Sequence, residues 1–371
     1  MTNIIIFGAS KNGLKIKRAL EERDVLASYT FCDNNIKKQG CTLDGSNIIS
    51  IEELEKLDKE GKCDEIILSM LQPDDVIKQL RQIGIRAKVM WGGRWLELLW
   101  ENCKLQESIM AYLCLVDIKK PRLSYFEYHI SHHCNLKCKG CGHLSNIAQP
   151  EFGNLDRYVR DIKRLKELYW GVGVIRLMGG EPLLNKELPL FLKQTREIFP
   201  DADIRVVTNG LLIPAIDKRV LAAMKQYYIK FDITQYPPTQ ELKEKIELLC
   251  AENDIAFFIS SLVEKFFDSY NPKGDCDKWK SYQYCDSKNC HFLQDGKLSV
   301  CALPILYEKH RDLLQHKMEI QENNFINIYE ENLDGFSLNA FLEKPIDMCR
   351  YCDNLNKKWF VWQGNYPYKE R

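Results

Sequence analysis

Nine of the fifteen cysteines in this 371-residue chain stand in two groups. Cys134, Cys138 and Cys141 lie at x3 and x2 spacing in one loop, His-His-Cys-Asn-Leu-Lys-Cys-Lys-Gly-Cys-Gly-His, running from His132 to His143. Thiolates are the usual ligands of iron–sulfur clusters. Three of them on one loop can wrap a cluster and leave one iron open for a substrate or cofactor. Gly140 and Gly142 let the backbone turn closely around it. Zinc is the competing metal; a structural zinc site needs four ligands, and His132, His133 or His143 could supply the fourth.

The second group is Cys276, Cys285, Cys290, Cys301, Cys349 and Cys352. Asp295-Gly296 is a two-residue turn signal, so 290–301 reads as a hairpin. Counting outward pairs Gln294 with Lys297, Leu293 with Leu298 and finally Cys290 with Cys301. Opposed residues share a face about 5 Å apart. Cys290, Cys301, Cys349 and Cys352 therefore make one four-ligand set. Cys285 is the rival to Cys290, a structural zinc is the rival to a cluster, and Cys276 has another role or none. Cys32, Cys41, Cys63, Cys103, Cys114 and Cys250 are isolated and read as small, mostly buried hydrophobes.

The elements that must position these residues alternate. Residues 3–7, 26–32, 47–50, 65–69 and 87–90 read as strands, with helices over 14–22, 51–59 and 74–83. The pattern predicts a Rossmann-like, doubly wound parallel sheet. Gly8-x-Ser10-x-x-Gly13 follows the first strand, and Asp33 ends the second. That is a dinucleotide-binding layout in which Ser10 replaces the glycine a pyrophosphate would approach, so tight NAD binding is not expected. Residues 94–122 form a helical, aromatic-rich connector, with Trp91, Trp95 and Trp100 as a packing cluster. Strands at 126–131, 174–178, 204–208, 229–234 and 256–259 alternate with helices and predict a partial, open (β/α)6 barrel of TIM type. The three-cysteine loop follows its first strand at the carboxyl end, where such barrels place chemistry. The domains expected are 1–93 (Rossmann-like), 94–122 (connector), 123–272 (barrel), 273–356 (C-terminal cluster domain) and 357–371 (an aromatic, basic tail that packs back on the barrel or a dimer surface, or else offers a sugar-stacking platform).

Lys+Arg and Asp+Glu both number 52, for a formal net charge of zero. Neutrality disfavours nucleic acid and an anionic membrane as partners. No apolar run reaches the ~18–20 residues that cross a bilayer, and the first residues lack the basic n-region and cleavage site of a signal peptide. The expectation is a cytoplasmic protein.

Cys134-x3-Cys138-x2-Cys141 resembles the signature of the radical S-adenosylmethionine (SAM) superfamily. Met178-Gly-Gly-Glu-Pro182, after the second barrel strand, is similar to that family's SAM-binding motif, and Thr208-Asn209-Gly210 after the third strand is also familiar there. Gly296-x4-Cys301 with Cys349-x2-Cys352 resembles the SPASM/twitch extension, which carries auxiliary clusters. The resemblance implies two [4Fe–4S] clusters and SAM as cofactors, with Cys134, Cys138 and Cys141 holding the first cluster. Gly179, Gly180 and Glu181 would hold the SAM ammonium, and Asp232 and Thr234 would reach the SAM ribose or the substrate. An electron donor such as flavodoxin or ferredoxin is implied as partner. The N-terminal domain resembles domains attached to bacterial surface-polysaccharide and nucleotide-sugar enzymes. It suggests a sugar or nucleotide-linked sugar as substrate, oxidised or epimerised. The alternatives are maturation of a peptide or protein, and a non-catalytic cluster- or nucleotide-binding sensor.

Overall fold

A computed structural model describes residues 2–22, 26–100, 109–314, 318 and 322–365. The chain divides into two compact units, Met1–Arg122 and Leu123–Arg371. Cys103 and the tail residues Tyr366 and Tyr368 lie outside the described residues, as does the side chain of Trp100.

The first unit contains β1 (Thr2–Phe7), α1 (Lys11–Glu21), β2 (Ala27–Cys32), β3 (Thr42–Leu43), β4 (Ser46–Ile49), α2 (Ile51–Lys59), β5 (Glu65–Leu68), α3 (Asp74–Gln82), β6 (Lys88–Trp91), α4 (Gly93–Trp100) and β7 (Cys114–Leu115). The sheet order is β3-β4-β2-β1-β5-β6-β7. The inner five strands pair in parallel, in the doubly wound arrangement whose switch point lies between β1 and β5. Ile4, Ile6, Ile16, Leu20, Phe31 and Ile67 share one core. Local signals start the helices: α1 begins at Lys11, inside the stretch read as a turn, and α2 at Ile51 as expected. The Ser10 hydroxyl caps α1, and Ser50 with Glu53 forms a reciprocal capping box on α2, each satisfying N–H groups the helix cannot.

The second unit contains β8 (Arg122–Ser131), α5 (Leu155–Leu168), β9 (Gly171–Gly179), α6 (Leu188–Ile198), β10 (Asp203–Thr208), α7 (Lys218–Gln226), β11 (Lys230–Ile233), α8 (Pro237–Gln240), α9 (Lys243–Glu252) and β12 (Phe257–Ile259). After these come β13 (Lys265–Asp268), α10 (Lys278–Gln283), β14 (Phe292–Gln294), β15 (Lys297–Ser299), α11 (Leu303–His310), β16 (Ile326–Asn327), α12 (Gly335–Leu342) and β17 (Lys358–Val361). Its main sheet runs β12-β11-β10-β9-β8-β14-β15-β16. Five parallel strands come from successive βα units. The sixth parallel position is filled by β14, which arrives from the C-terminal region and pairs with β8 at Phe292–Glu127.

Side chains alternate across the sheet. Phe126, Tyr128 and Ile130 of β8 join Ile175, Leu177, Ile204, Val206, Phe231 and the apolar faces of α5 and α6 in one core. The alternate residues Tyr125, Glu127, His129 and Ser131 therefore face the opposite side, which is polar. Among the described residues no helix is long and apolar enough to cross a membrane.

Candidate active site at the carboxyl ends of three strands

The loop 132–143 leaves β8 and is anchored to the next strand ends by backbone bonds. Gly180 N donates to Ser131 O at 2.8 Å, and Glu181 N donates to His133 O at 3.0 Å. Both contacts demand glycine. A Cβ on Gly179, whose φ is +141°, would meet Ser131 O at 1.9 Å, and one on Gly180 would meet His133 O at 2.1 Å. The Gly-Gly pair is thus first a packing device that seats the cysteine loop against β9. The loop's own curl uses left-handed backbone at Lys137 (φ 46°) and Gly140 (φ 72°).

Glu181 is fully buried. Its Oε1 accepts from Leu183 N (3.0 Å) and the Thr208 hydroxyl (2.8 Å), and its Oε2 from Asn209 N (3.0 Å). Burial pushes its carboxyl up to about 7, against the pull of these three donors. Each carboxylate oxygen has two lone pairs, so acceptor capacity remains for a cation. Asn209 extends the link to the cysteines. Its Nδ2 donates to Asn135 Oδ1 (2.7 Å) and to Cys134 Sγ (3.6 Å), and Leu136 N also points at Cys134 Sγ (3.4 Å). Donors aimed at a sulfur suit a thiolate that carries a metal. Burial raises the Cys134 thiol to about 11 and the Cys138 thiol to about 12, so binding a metal must displace protons. A cavity of 280 Å³ opens beside Cys134, lined also by His133, Lys137, Asn146 and Gln149.

Two further residues close on the loop. Tyr236, beyond β11, lies within the electrostatic reach of Cys138, Cys141, Cys134 and Glu181. Trp362 stacks on Tyr236 with ring centroids 5.4 Å apart, and its indole N–H donates to Cys138 Sγ at 3.2 Å. Neither residue was among the site residues read from the sequence. Of the histidines considered as a fourth zinc ligand, His143 bonds His129 (2.9 Å) and His133 Nδ1 accepts from Glu151 N (3.2 Å). Among the described residues no three His, Cys, Asp or Glu side chains stand at the spacing of a single metal ion.

Asp232 does not stand free at a strand end. It accepts from Arg176 Nε (3.1 Å) and pairs with Arg205 (3.5 Å). Arg176 also donates to the Tyr125 hydroxyl (3.2 Å) and faces Glu127 Oε1 (3.7 Å). Thr234 is tied to β10 through its backbone, donating to Thr208 O at 3.0 Å. The result is a charge-balanced lattice across the inner face of β8 to β11. One atom in it, Glu127 Oε2, is buried without a hydrogen-bond partner.

The C-terminal cysteines sort differently from the hairpin count. The ladder holds Gln294–Lys297, Leu293–Leu298 and Phe292–Ser299 as expected, then ends. β8 competes for the same strand, since Glu127 N donates to His291 O at 2.8 Å. Cys290 instead sits in a turn with its N–H on Ser287 O (3.0 Å), and its thiol bonds Tyr125 and feels Glu127 and Arg176. Cys301, Cys349 and Cys352 feel one another and Cys285. Cys285 is thus within the electrostatic reach of Cys301, Cys349 and Cys352, and of Cys290 as well, while Cys276 is within that of Cys352.

In the N-terminal unit the predicted nucleotide residues are in contact, and already engaged. Asp33 Oδ2 accepts from Ala9 N and from Lys38 Nζ, both at 2.9 Å, and Ser10 Oγ accepts from Gly13 N at 3.4 Å. A Cβ on Gly13 would meet Gly8 O at 2.2 Å, so this glycine serves close helix–strand packing. Gly8 (φ +108°) turns under the Ser69 hydroxyl, which donates to Gly8 O at 3.1 Å.

The model of the radical SAM superfamily matches residues 128–256. That segment is a radical SAM domain. It runs from within β8 to the residue before β12 and contains all three cysteines of the loop, Gly179, Gly180 and Glu181. Outside this chain, the GTP 3′,8-cyclase of Nautilia profundicola is 27% identical over 143 residues, covering 38% of this chain and 42% of that protein. The GTP 3′,8-cyclase of Clostridium botulinum (strain Hall) is 29% identical over 120 residues, 32% of this chain and 38% of that protein. The chain thus matches well under half the length of these relatives. Among solved structures, BtrN in complex with AdoMet and 2-DOIA aligns with a TM-score of 0.39 at 19% identity, covering 64% of this chain and 95% of that one.

Proposed function

We propose that the chain uses its radical SAM domain to abstract hydrogen from a sugar or nucleotide-linked sugar, oxidising or epimerising it. The observation that supports the chemistry most strongly is the convergence of three strand ends, joined by the Cys134–Asn209–Glu181 bonds. In this reading Cys134, Cys138 and Cys141 hold a [4Fe–4S] cluster, and Glu181 with the Gly179–Gly180 backbone receives the SAM ammonium. When bound, cluster and SAM together supply a 5′-deoxyadenosyl radical. The chain's own task is to position a substrate carbon and keep water out.

The substrate class rests on the inner wall. Tyr125, Glu127, Arg176 and Asp232 bond one another there, and Glu127 Oε2 is left as an acceptor for a substrate hydroxyl. Relatives that act on GTP, by their name, make a nucleotide-linked substrate reasonable. The cysteines Cys285, Cys301, Cys349 and Cys352 are proposed to hold an auxiliary [4Fe–4S] cluster, with a flavodoxin or ferredoxin as external donor and the cytoplasm as location. The test is anaerobic incubation with ring-deuterated nucleotide-sugars and SAM. Deuterium appearing in 5′-deoxyadenosine identifies the substrate class and the carbon. Deuterium transfer only from a peptide would replace the sugar reading with peptide maturation.

A further inference from the structure

The last described residues do not trail away from the barrel. β17 pairs antiparallel with β13 over Lys265–Val361 to Asp268–Lys358. That pairing aims the segment 362–365 back across the cysteine loop. Trp362 N donates to Glu264 O (2.8 Å), and Lys139 N donates to Gln363 O (2.9 Å). Asn365 N donates to Leu136 O. A Cβ on Gly364 would come within 3.5 Å of that same carbonyl. The ring of Phe360 meets the Lys139 ammonium at 5.6 Å. Residues 360–365 thus form a strap over 136–139, the stretch that carries Cys138.

At the strap's centre is Trp362. Its ring stacks on Tyr236, 5.4 Å between centroids at 22°. Its Nε1–H points at Cys138 Sγ, 3.2 Å away. Cys138 is the most buried of the three loop cysteines, and this indole is the side-chain donor that reaches its sulfur. Hydrogen bonds to cluster sulfurs and exclusion of solvent are the protein's levers on iron–sulfur potential. An N–H donor stabilises the extra negative charge of the reduced cluster, and so raises the potential.

We infer that Trp362 is a positioning residue of the radical site: the C-terminal strap delivers its indole N–H to the Cys138 thiolate, sets the cluster's potential and shields it from solvent. The inference rests on Cys134, Cys138 and Cys141 holding a cluster. Trp362→Phe keeps an aromatic ring beside Tyr236 and removes the N–H together with part of the ring's bulk. Its four-iron signal should persist while its midpoint potential, followed by electron paramagnetic resonance, moves lower than wild type. An unchanged potential overturns the inference. The unaltered full chain gives a second reading. With tryptophan labelled by ¹⁵N at the indole, and SAM withheld, pulsed resonance of the reduced cluster should show a nitrogen coupling. A cluster signal with no such coupling overturns the inference alone. No four-iron signal from the 134–141 loop overturns the functional reading beneath it as well.

Discussion

Glu181 carries the clearest single-residue consequence. Complete burial pushes its carboxyl up to about 7. Below that pH it is neutral and cannot pair with an ammonium; above it, it can. SAM affinity should therefore rise from pH 6 to pH 8 and level off. Glu181→Gln should flatten that rise and weaken binding roughly 10–150-fold at pH 8, the ~1.5–3 kcal/mol of a charge-assisted bond. Anaerobic calorimetry across this range checks both. At the same scale Cys285 and Cys290 make opposite forecasts. Cys285→Ser should lower the iron content of reconstituted protein from about eight to about four per chain, while Cys290→Ser should leave it near eight. Iron and sulfide assays separate them, and a loss only in Cys290→Ser would restore the hairpin count. The spacing of the three loop cysteines and the Gly-Gly-Glu run were legible because each is contiguous in sequence. Trp362 was not: 224 residues separate it from the sulfur it touches, and no local pattern carries that distance. The engagement of Asp232 by Arg176 and Arg205 was hidden for the same reason.

At the level of elements, the strands of the radical SAM domain were readable because each is a short apolar run ended by turn residues, and alternation set which face meets the helices. β14 was read as a hairpin strand but not as the neighbour of β8, because that pairing depends on Phe292 meeting Glu127 across more than half of the second unit. The seam between β8 and β9 is where an element-scale change should be felt most. Gly180→Ala forces a methyl to within 2.1 Å of His133 O, so the loop must move away from β9. The expected cost is about 1–3 kcal/mol in denaturant unfolding of the iron-free protein. Reconstitution at the 134–141 loop should also be impaired, which iron content reports. A Gly180→Ala protein with wild-type stability and full iron would mean that the seam is not what seats the loop.

For the whole molecule, the two units ask different things of ligands. The first has the doubly wound strand order and the switch-point loop, yet Ala9 N, Gly13 N and Asp33 are spent on internal bonds. NAD and NADP should bind the full chain more weakly than ~100 µM. A nucleotide-linked sugar should bind more tightly than either if this unit takes a nucleotide at all. Calorimetry with each compound tests this, and micromolar NAD affinity would contradict it. The second unit carries the central claim, that the 134–141 loop, Glu181 and Asn209 form one SAM-cleaving site. The most direct measurement is 5′-deoxyadenosine released from SAM by the reconstituted, dithionite-reduced chain, against Cys138→Ala prepared in parallel. The account predicts 5′-deoxyadenosine from the unaltered chain and none above background from the variant. Intact SAM in the presence of a fully assembled cluster, or equal cleavage by Cys138→Ala, would contradict it.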